Sequence, residues 1–221
     1  MLSIIIPTLN EEKNLPKTLE GIKNQTYADY EIIVADKDSQ DKTREIAAGY
    51  GCRITGGGLP AVGRNKGASI AKGDYLLFLD ADIEIKDPRF LEKMMVHAKE
   101  HNVLVGTSKG LPSDGKFIDS VLHGIANAYM LAVQYVKPHA WGPCILVTKD
   151  IFDRTSGFDV SKHPVDDNEF VHRASQLGKF RVFPLSFYVS VRKFAKDGRL
   201  THGYRNARAA VYKLLFNKWK W

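Results

Sequence analysis

The 221 residues are 44% hydrophobic and 26% charged, the balance of a single globular domain with a hydrophobic core, which argues against a disordered chain. The net charge of +7 is lopsided: residues 192–221 carry nine Lys/Arg against the single acid Asp197, so the body before them is close to neutral. That distribution, with no aromatic stacking motif, excludes a general nucleic-acid binder and points to an anionic surface or a phosphate-bearing partner, the plainer reading being a solvated basic helix.

Met1-Leu2-Ser3-Ile4-Ile5-Ile6-Pro7 lacks a basic start and meets proline too early for an export signal, so it reads as a strand. Cys52 and Cys144 stand far apart with no CxxC pair, which fits a reducing compartment better than a zinc or disulfide framework. The expectation is a cytoplasmic protein, with peripheral contact at the inner face of the cell membrane through its basic end.

Apolar runs of strand length recur at Leu2–Pro7, Glu31–Ala35, Cys52–Thr55, Tyr75–Leu79, Val103–Thr107 and Cys144–Thr148. Their alternation with helix-like stretches predicts an α/β domain, a mostly parallel central sheet flanked by helices. Asn10 reads as the N-cap of a first helix reaching about Gln25, with Glu11 and Glu12 in its first turn. A second helix begins near Asp41 and a third covers about Ala61 to Ala71. Residues 1–110 therefore read as a Rossmann-like nucleotide-binding half, 111–191 as a second half of the same domain, and 192–221 as a basic tail.

The stretch Phe117 to Val136 is apolar and almost of membrane-spanning length, yet Asp119, His123, Asn127 and Gln134 are expensive in lipid. It reads first as a buried or groove-lining helix, next as a helix on a membrane surface, and least as a span.

The strongest chemical signal is the strand Tyr75–Leu79 ending abruptly in Asp80-Ala81-Asp82. Ligands of open α/β sheets gather at the carboxyl ends of strands, and two carboxylates there suit Mg²⁺ or Mn²⁺ together with diphosphate oxygens. Asp36-Lys37-Asp38-Ser39 follows another strand, where carboxylates accept hydrogen bonds from a base or ribose, or merely cap a turn. The glycine-rich run Gly56 to Gly67 is neither a dinucleotide fingerprint nor a P-loop, but it carries Arg64 and Lys66 toward phosphates, with Asn65 beside them as a loop support. Gly157-Phe158-Asp159 and Val165-Asp166-Asp167-Asn168-Glu169 lead into a helix that continues through Arg173 to Gly178. Adjacent acids raise each other's proton affinity and a metal opposes that, so the direction for Asp167 is open at this stage.

In order and spacing, Pro7-Thr8-Leu9-Asn10-Glu11-Glu12, Asp36 to Ser39 with Asp41 and Thr43, Arg64-Asn65-Lys66-Gly67, Gly73-Asp74 to Asp82, Gly157-Phe158-Asp159 and the acidic pair leading to Arg173 resemble the family-2 glycosyltransferases of the GT-A fold. The resemblance implies that Pro7, Thr8 and Glu11 line a nucleotide pocket and that Asp36 and Asp38 contact base or ribose. It implies that Asp80, Ala81 and Asp82 handle diphosphate and a Mn²⁺ or Mg²⁺ ion, and that Arg64 and Lys66 face the phosphates. Asp167 would be the base in an inverting transfer from a UDP- or GDP-sugar to a hydroxyl or phosphate acceptor. His202 is the candidate third metal ligand, since some relatives bring a histidine from this region.

Two positions depart from the common pattern. Lys37-Asp38 stands where many relatives have Asp-Gly, which leaves the nucleobase open, and Asp166, a substrate-binding candidate, stands where many have Glu beside the base. Ser190-Val191-Arg192-Lys193-Phe194 is similar to a basic segment that closes over phosphates in members using lipid-phosphate acceptors, so Arg192 and Lys193 join the substrate-binding candidates. From about Gly203, residues Tyr204, Ala207, Val211, Leu214 and Leu215 share one helical face and Trp219 and Trp221 follow, a pattern for an anionic membrane, a partner subunit or the domain itself. The first-choice acceptor is a polyprenyl phosphate or membrane lipid, the alternative a soluble saccharide or glycerate-like acid. The rival readings are a nucleotidyltransferase acting on a sugar phosphate and a non-catalytic nucleotide-sugar-binding subunit.

Overall fold

The computed structural model describes residues 1–162 and 165–191, so Arg192, Lys193, His202 and the amphipathic tail fall outside the described residues. Along the chain run β1 (Leu2–Thr8), α1 (Leu15–Lys23), β2 (Tyr30–Asp36), α2 (Thr43–Gly49), β3 (Arg53–Gly56), α3 (Pro60–Ile70), β4 (Tyr75–Leu79), β5 (Ile83–Glu84) and α4 (Phe90–Glu100). They continue as β6 (Val105–Pro112), α5 (Phe117–Val133), β7 (Cys144–Thr148), α6 (Lys149–Arg154), α7 (Asp166–Leu177) and β8 (Phe180–Val189). One sheet takes the order β3-β2-β1-β4-β7-β6-β8-β5. β3, β2, β1 and β4 are mutually parallel, β7 runs antiparallel to both β4 and β6, and β6 and β8 pair in parallel.

The middles of β1, β2 and β4 are apolar and buried because both faces of the sheet are covered there. Leu2, Ile4 and Ile6 of β1 join one buried cluster with α1 and α4, while Ile5 joins a second with α3, α6 and α7. The same two-residue alternation sends Leu77 and Leu79 of β4 to the first cluster and Leu76 and Phe78 to the second. α3 lies unusually close to β1: Ile5 fills the space that a β-carbon on Gly67 would occupy. This approach aims the first turns of α3 at the carboxyl edge of the sheet.

The first helix begins later than the sequence suggests. Asn10 is not its N-cap but adopts a left-handed backbone, φ 53°, and Glu11 and Glu12 lie in the loop before Leu15. The reason is tertiary. The Asn10 amide donates to Ser39 Oγ and its side-chain oxygen accepts from the Gln40 amide, so the capping chemistry is spent on another loop. β8 is a strand that its own Pro184 disguises. The pairing with β6 slips between Ser108 and Lys109, leaving Pro184 and Leu185 unpaired in a bulge where a missing N–H costs nothing.

α5 also departs from expectation, because its polar residues face inward and its apolar ones face out. Asp119, His123, Asn127 and Gln134 are buried, while Phe117, Ile125 and Val136 are exposed. Asn127 exchanges two hydrogen bonds with Gly110, at 2.9 and 3.2 Å, and Gln134 accepts from the Val182 amide. The polar side chains thus satisfy backbone groups of β6 and β8 that a purely apolar face would leave unpaired. Among the described residues no helix is long and apolar enough to cross a membrane.

Candidate active site at the carboxyl edge of the sheet

Parallel register brings Thr8 opposite Asp36 at the ends of β1 and β2, and Asp80 follows the end of the neighbouring β4. Asp36 is fully buried and accepts from Thr8 Oγ1 at 2.8 Å, from the Ser39 hydroxyl at 2.6 Å and from the Ser39 amide at 2.9 Å, with Arg44 3.7 Å away. Its oxygens organise the loop that follows β2. Further bonds lace this loop to the one after β1: the Glu11 amide donates to Thr43 Oγ1 and the Glu12 amide to Asp41. Asp38 stands exposed at the loop tip with φ 51°, and Gly57 closes the floor by donating its amide to the Asp36 carbonyl at 2.7 Å. Pro7 is half-buried beside the first turn of α3.

Arg64 is the hub. Its buried guanidinium donates to Asp80 at 3.0 Å, to Asp166 at 3.4 Å and to the Gly142 carbonyl at 3.3 Å, and it packs over the Phe158 ring at 5.3 Å. One residue on, Asn65 exchanges a pair of hydrogen bonds with the Phe158 backbone, at 2.8 and 2.9 Å. Arg173 of α7 holds the Gly157 carbonyl while gripping both oxygens of Glu169. The segment Gly157-Phe158-Asp159 is therefore pinned between α3 and α7. Lys66 is exposed and donates to the Gly57 carbonyl at 3.1 Å.

Asp167 sits at the start of α7, with Asn168 turning back to accept from the Ala140 amide and to donate its own amide to Asp167. The loop 137–143 thereby lies against the helix start, and a β-carbon at 142 would have to displace the Asp167 carboxylate, which fills that position. Burial pushes the Asp167 carboxyl up to about 6; Arg64 opposes the shift, and the charges of Asp166 and Asp80 add to it. Trp141, next to that glycine, stacks on His123 at 4.9 Å and donates its indole N–H to Asn127. The parts played by Gly142, Asn168 and Trp141 went unread in the sequence. A glycine between Trp141 and Pro143 just ahead of a strand was the available signal for the first.

Asp80 is 28% exposed at its side chain and Asp82 is half-buried, while Ala81 between them is buried, its carbonyl accepting from Thr18. Among the described residues no three His, Cys, Asp or Glu side chains gather as a metal cluster. Two carboxylates one residue apart still fit Mg²⁺ or Mn²⁺, which keep water and phosphate oxygens in most of their shell. Arg64 already takes one Asp80 oxygen, so a cation held there would share that carboxylate with the guanidinium. Depressions of about 630 Å³ beside Lys93 and Tyr188, and of about 460 Å³ beside Tyr135 and Arg181, both lie away from this acidic edge.

The architecture is that of the GT-A fold. Residues 3–155 match the family model described as glycosyl transferase family 2, and the chain belongs to that family. It is 38% identical over 103 residues to the 4,4'-diaponeurosporenoate glycosyltransferase of Staphylococcus haemolyticus, covering 42% of this chain and 27% of that protein. It is 36% identical over 110 residues to a PGL/p-HBAD biosynthesis glycosyltransferase of Mycobacterium bovis, covering 46% and 43%. The chain thus spans less than half the length of these relatives. Among solved structures, the mannosyltransferase PcManGT from Pyrobaculum calidifontis, in complex with GDP-Man and Mn²⁺, superposes with a TM-score of 0.75 at 20% identity, over 94% of this chain and 60% of that one. S. aureus TarS superposes with a TM-score of 0.71 at 19% identity, over 97% and 40%.

Proposed function

We propose that the chain transfers a sugar from a UDP- or GDP-sugar to a hydroxyl or phosphate acceptor, inverting the anomeric carbon with the help of Mn²⁺ or Mg²⁺. The observation that carries this reading is the placement of Asp167, a carboxylate of raised proton affinity, in one cluster with Arg64, Asp80 and Asp166. The donor class is supported by solved structures of similar fold that hold UDP, UDP-GlcNAc, UDP-Glc or GDP-Man, three of them with Mn²⁺.

In this reading residues 1–110 bind the donor and 111–191 the acceptor. Pro7, Thr8, Glu11 and Asp38 border the nucleoside, and Asp36 keeps their loops in place. Asp80 and Asp82, with His202 as the third candidate, hold the cation, which when bound screens charge on the departing diphosphate. Arg64 adds a fixed positive charge, and its buried Nε–H has no hydrogen-bond partner among the described residues, leaving a donor for phosphate. Arg192 and Lys193 extend that charge, and Lys66 joins them on leaving Gly57. Asp167 takes the proton of the acceptor hydroxyl as that oxygen attacks the anomeric carbon opposite the diphosphate, so one displacement inverts the centre and no covalent intermediate forms. An acceptor phosphate is already ionised and needs little from Asp167.

A polyprenyl phosphate or membrane lipid is the favoured acceptor, supported by the exposed apolar residues of α5 and by the basic residues of 192–221. The test incubates the full chain with UDP- and GDP-sugars, lipid and soluble acceptors, with and without Mn²⁺. Cation-dependent release of nucleoside diphosphate is expected. Pyrophosphate released from a nucleoside triphosphate would instead identify a nucleotidyltransferase, and binding without turnover a non-catalytic subunit.

A further inference from the structure

The outer face of α5 is a feature that the donor chemistry does not use. Ile118, Val121, Ile125, Ala128, Ala132 and Tyr135 recur at spacings of three and four along it. Phe117 is 84% exposed, Ile125 62% and Val136 80%. Within 117–136 the one charged residue is Asp119, and it is buried and capped by the Lys116 amide. A surface helix ordinarily turns such a stripe to the core. Here the inward positions are taken by the polar residues that serve Gly110 and Val182.

The rim of this face is basic. Lys116 precedes the helix, Lys137 follows it, and Arg181 lies over the Tyr135 ring at 4.5 Å. The depression of about 460 Å³ at the same end is lined by Tyr135, Val136, His172, Lys179 and Arg181 among others and includes no acid. The acid close by is Asp114 at the opposite end, and it accepts from the Val191 amide and from Ser190. The described residues end there at Val191, and the sequence that follows it carries nine Lys/Arg.

We propose that this face seats the protein on an anionic lipid bilayer, apolar side chains entering the acyl boundary and the flanking cations meeting lipid phosphates. The proposal deepens the lipid-acceptor reading above and rests on it. Charge decides the occupant: a second copy would set lysine against lysine, and the chain's own 192–221 segment would bring its excess of cations to a rim that is already positive.

The experiment floats the full chain with vesicles of phosphatidylcholine alone or mixed equally with phosphatidylglycerol. Wild type is expected to float with the anionic vesicles and to lose that binding at high salt. Ile125→Gln should weaken it about tenfold, the effect of withholding one large apolar side chain from lipid. Its melting temperature should not change, because the side chain is exposed. Lys179→Gln should weaken binding to the anionic vesicles alone. Undiminished flotation of Ile125→Gln, or no flotation of wild type, would overturn the proposal. So would a sharp loss of melting temperature in Ile125→Gln, which would show the face covered by its own chain, or a wild-type dimer that this substitution splits. UDP and GDP binding measured on the same samples keeps the two readings apart: lost flotation with nucleotide binding intact rejects the bilayer and leaves the donor site standing.

Discussion

The Asp167 carboxylate occupies the space that a β-carbon on Gly142 would need. The loop ahead of β7 and the start of α7 are therefore fitted to each other at the candidate base. Gly142→Ala should push Asp167 out of place without removing any ionisable group. The expected result is a loss of kcat of about 10–100-fold, the scale of a misplaced reacting group. Far-UV circular dichroism should stay native, and activity unchanged in this variant would show that the fit has no bearing on the chemistry.

Asp167 should also set the acid limb of the pH profile. Its carboxyl is raised to about 6, so kcat/KM for an alcohol acceptor should fall below that pH, and Asp167→Asn should remove both the limb and most of the rate. The same shift has a signed effect on stability. A carboxyl that holds its proton more tightly when folded contributes stability below its unfolded pKa, and this contribution is lost as the pH rises through about 6. Asp167→Asn should thus gain about 1–2 kcal/mol relative to wild type at pH 7.5 and little at pH 4, read by thermal melting. Equal differences at both pH values would contradict the raised carboxyl.

Arg64→Ala deprives the buried Asp166 and the part-exposed Asp80 of their shared guanidinium. Removing one partner of such a group costs about 3 kcal/mol, and adding Asp166→Asn should recover part of it. Arg64→Lys should be milder for stability yet should raise KM for the sugar nucleotide, because an ammonium cannot span both carboxylates. Melting curves and saturation kinetics separate the two effects.

Asn65→Ala removes the reciprocal pair with the Phe158 backbone and should cost about 1–3 kcal/mol, since it strands a buried amide and carbonyl. Amide exchange around Gly157 should quicken more than exchange in β1.

Much of the fold was legible because its strands are short apolar runs, two of which, β2 and β4, run into acids. Leu76 to Leu79 ending in Asp80 needs no tertiary information to be read as a strand and a ligand edge. Other features depend on contacts that no local pattern contains. Asn10 has the chemistry of a helix cap, and only the loop bearing Ser39 and Gln40 diverts it. Pro184 argues against a strand until β6 supplies the bulge that accommodates it. In α5 the periodicity announces two faces, but which one turns inward was settled by the unpaired backbone of Gly110 and Val182. Arg64 read as a phosphate contact, whereas its partners Asp80 and Asp166 lie 16 and 102 residues away in sequence.

The most direct test of the acidic edge is calorimetric titration of UDP and GDP into the full chain, with and without Mn²⁺, for wild type and for Asp80→Asn/Asp82→Asn. One nucleotide should bind in the presence of Mn²⁺ and at least about tenfold more weakly without it, and the double variant should lose the benefit of the cation. Binding that ignores Mn²⁺, or that survives both substitutions unchanged, would contradict a donor diphosphate held at Asp80 and Asp82.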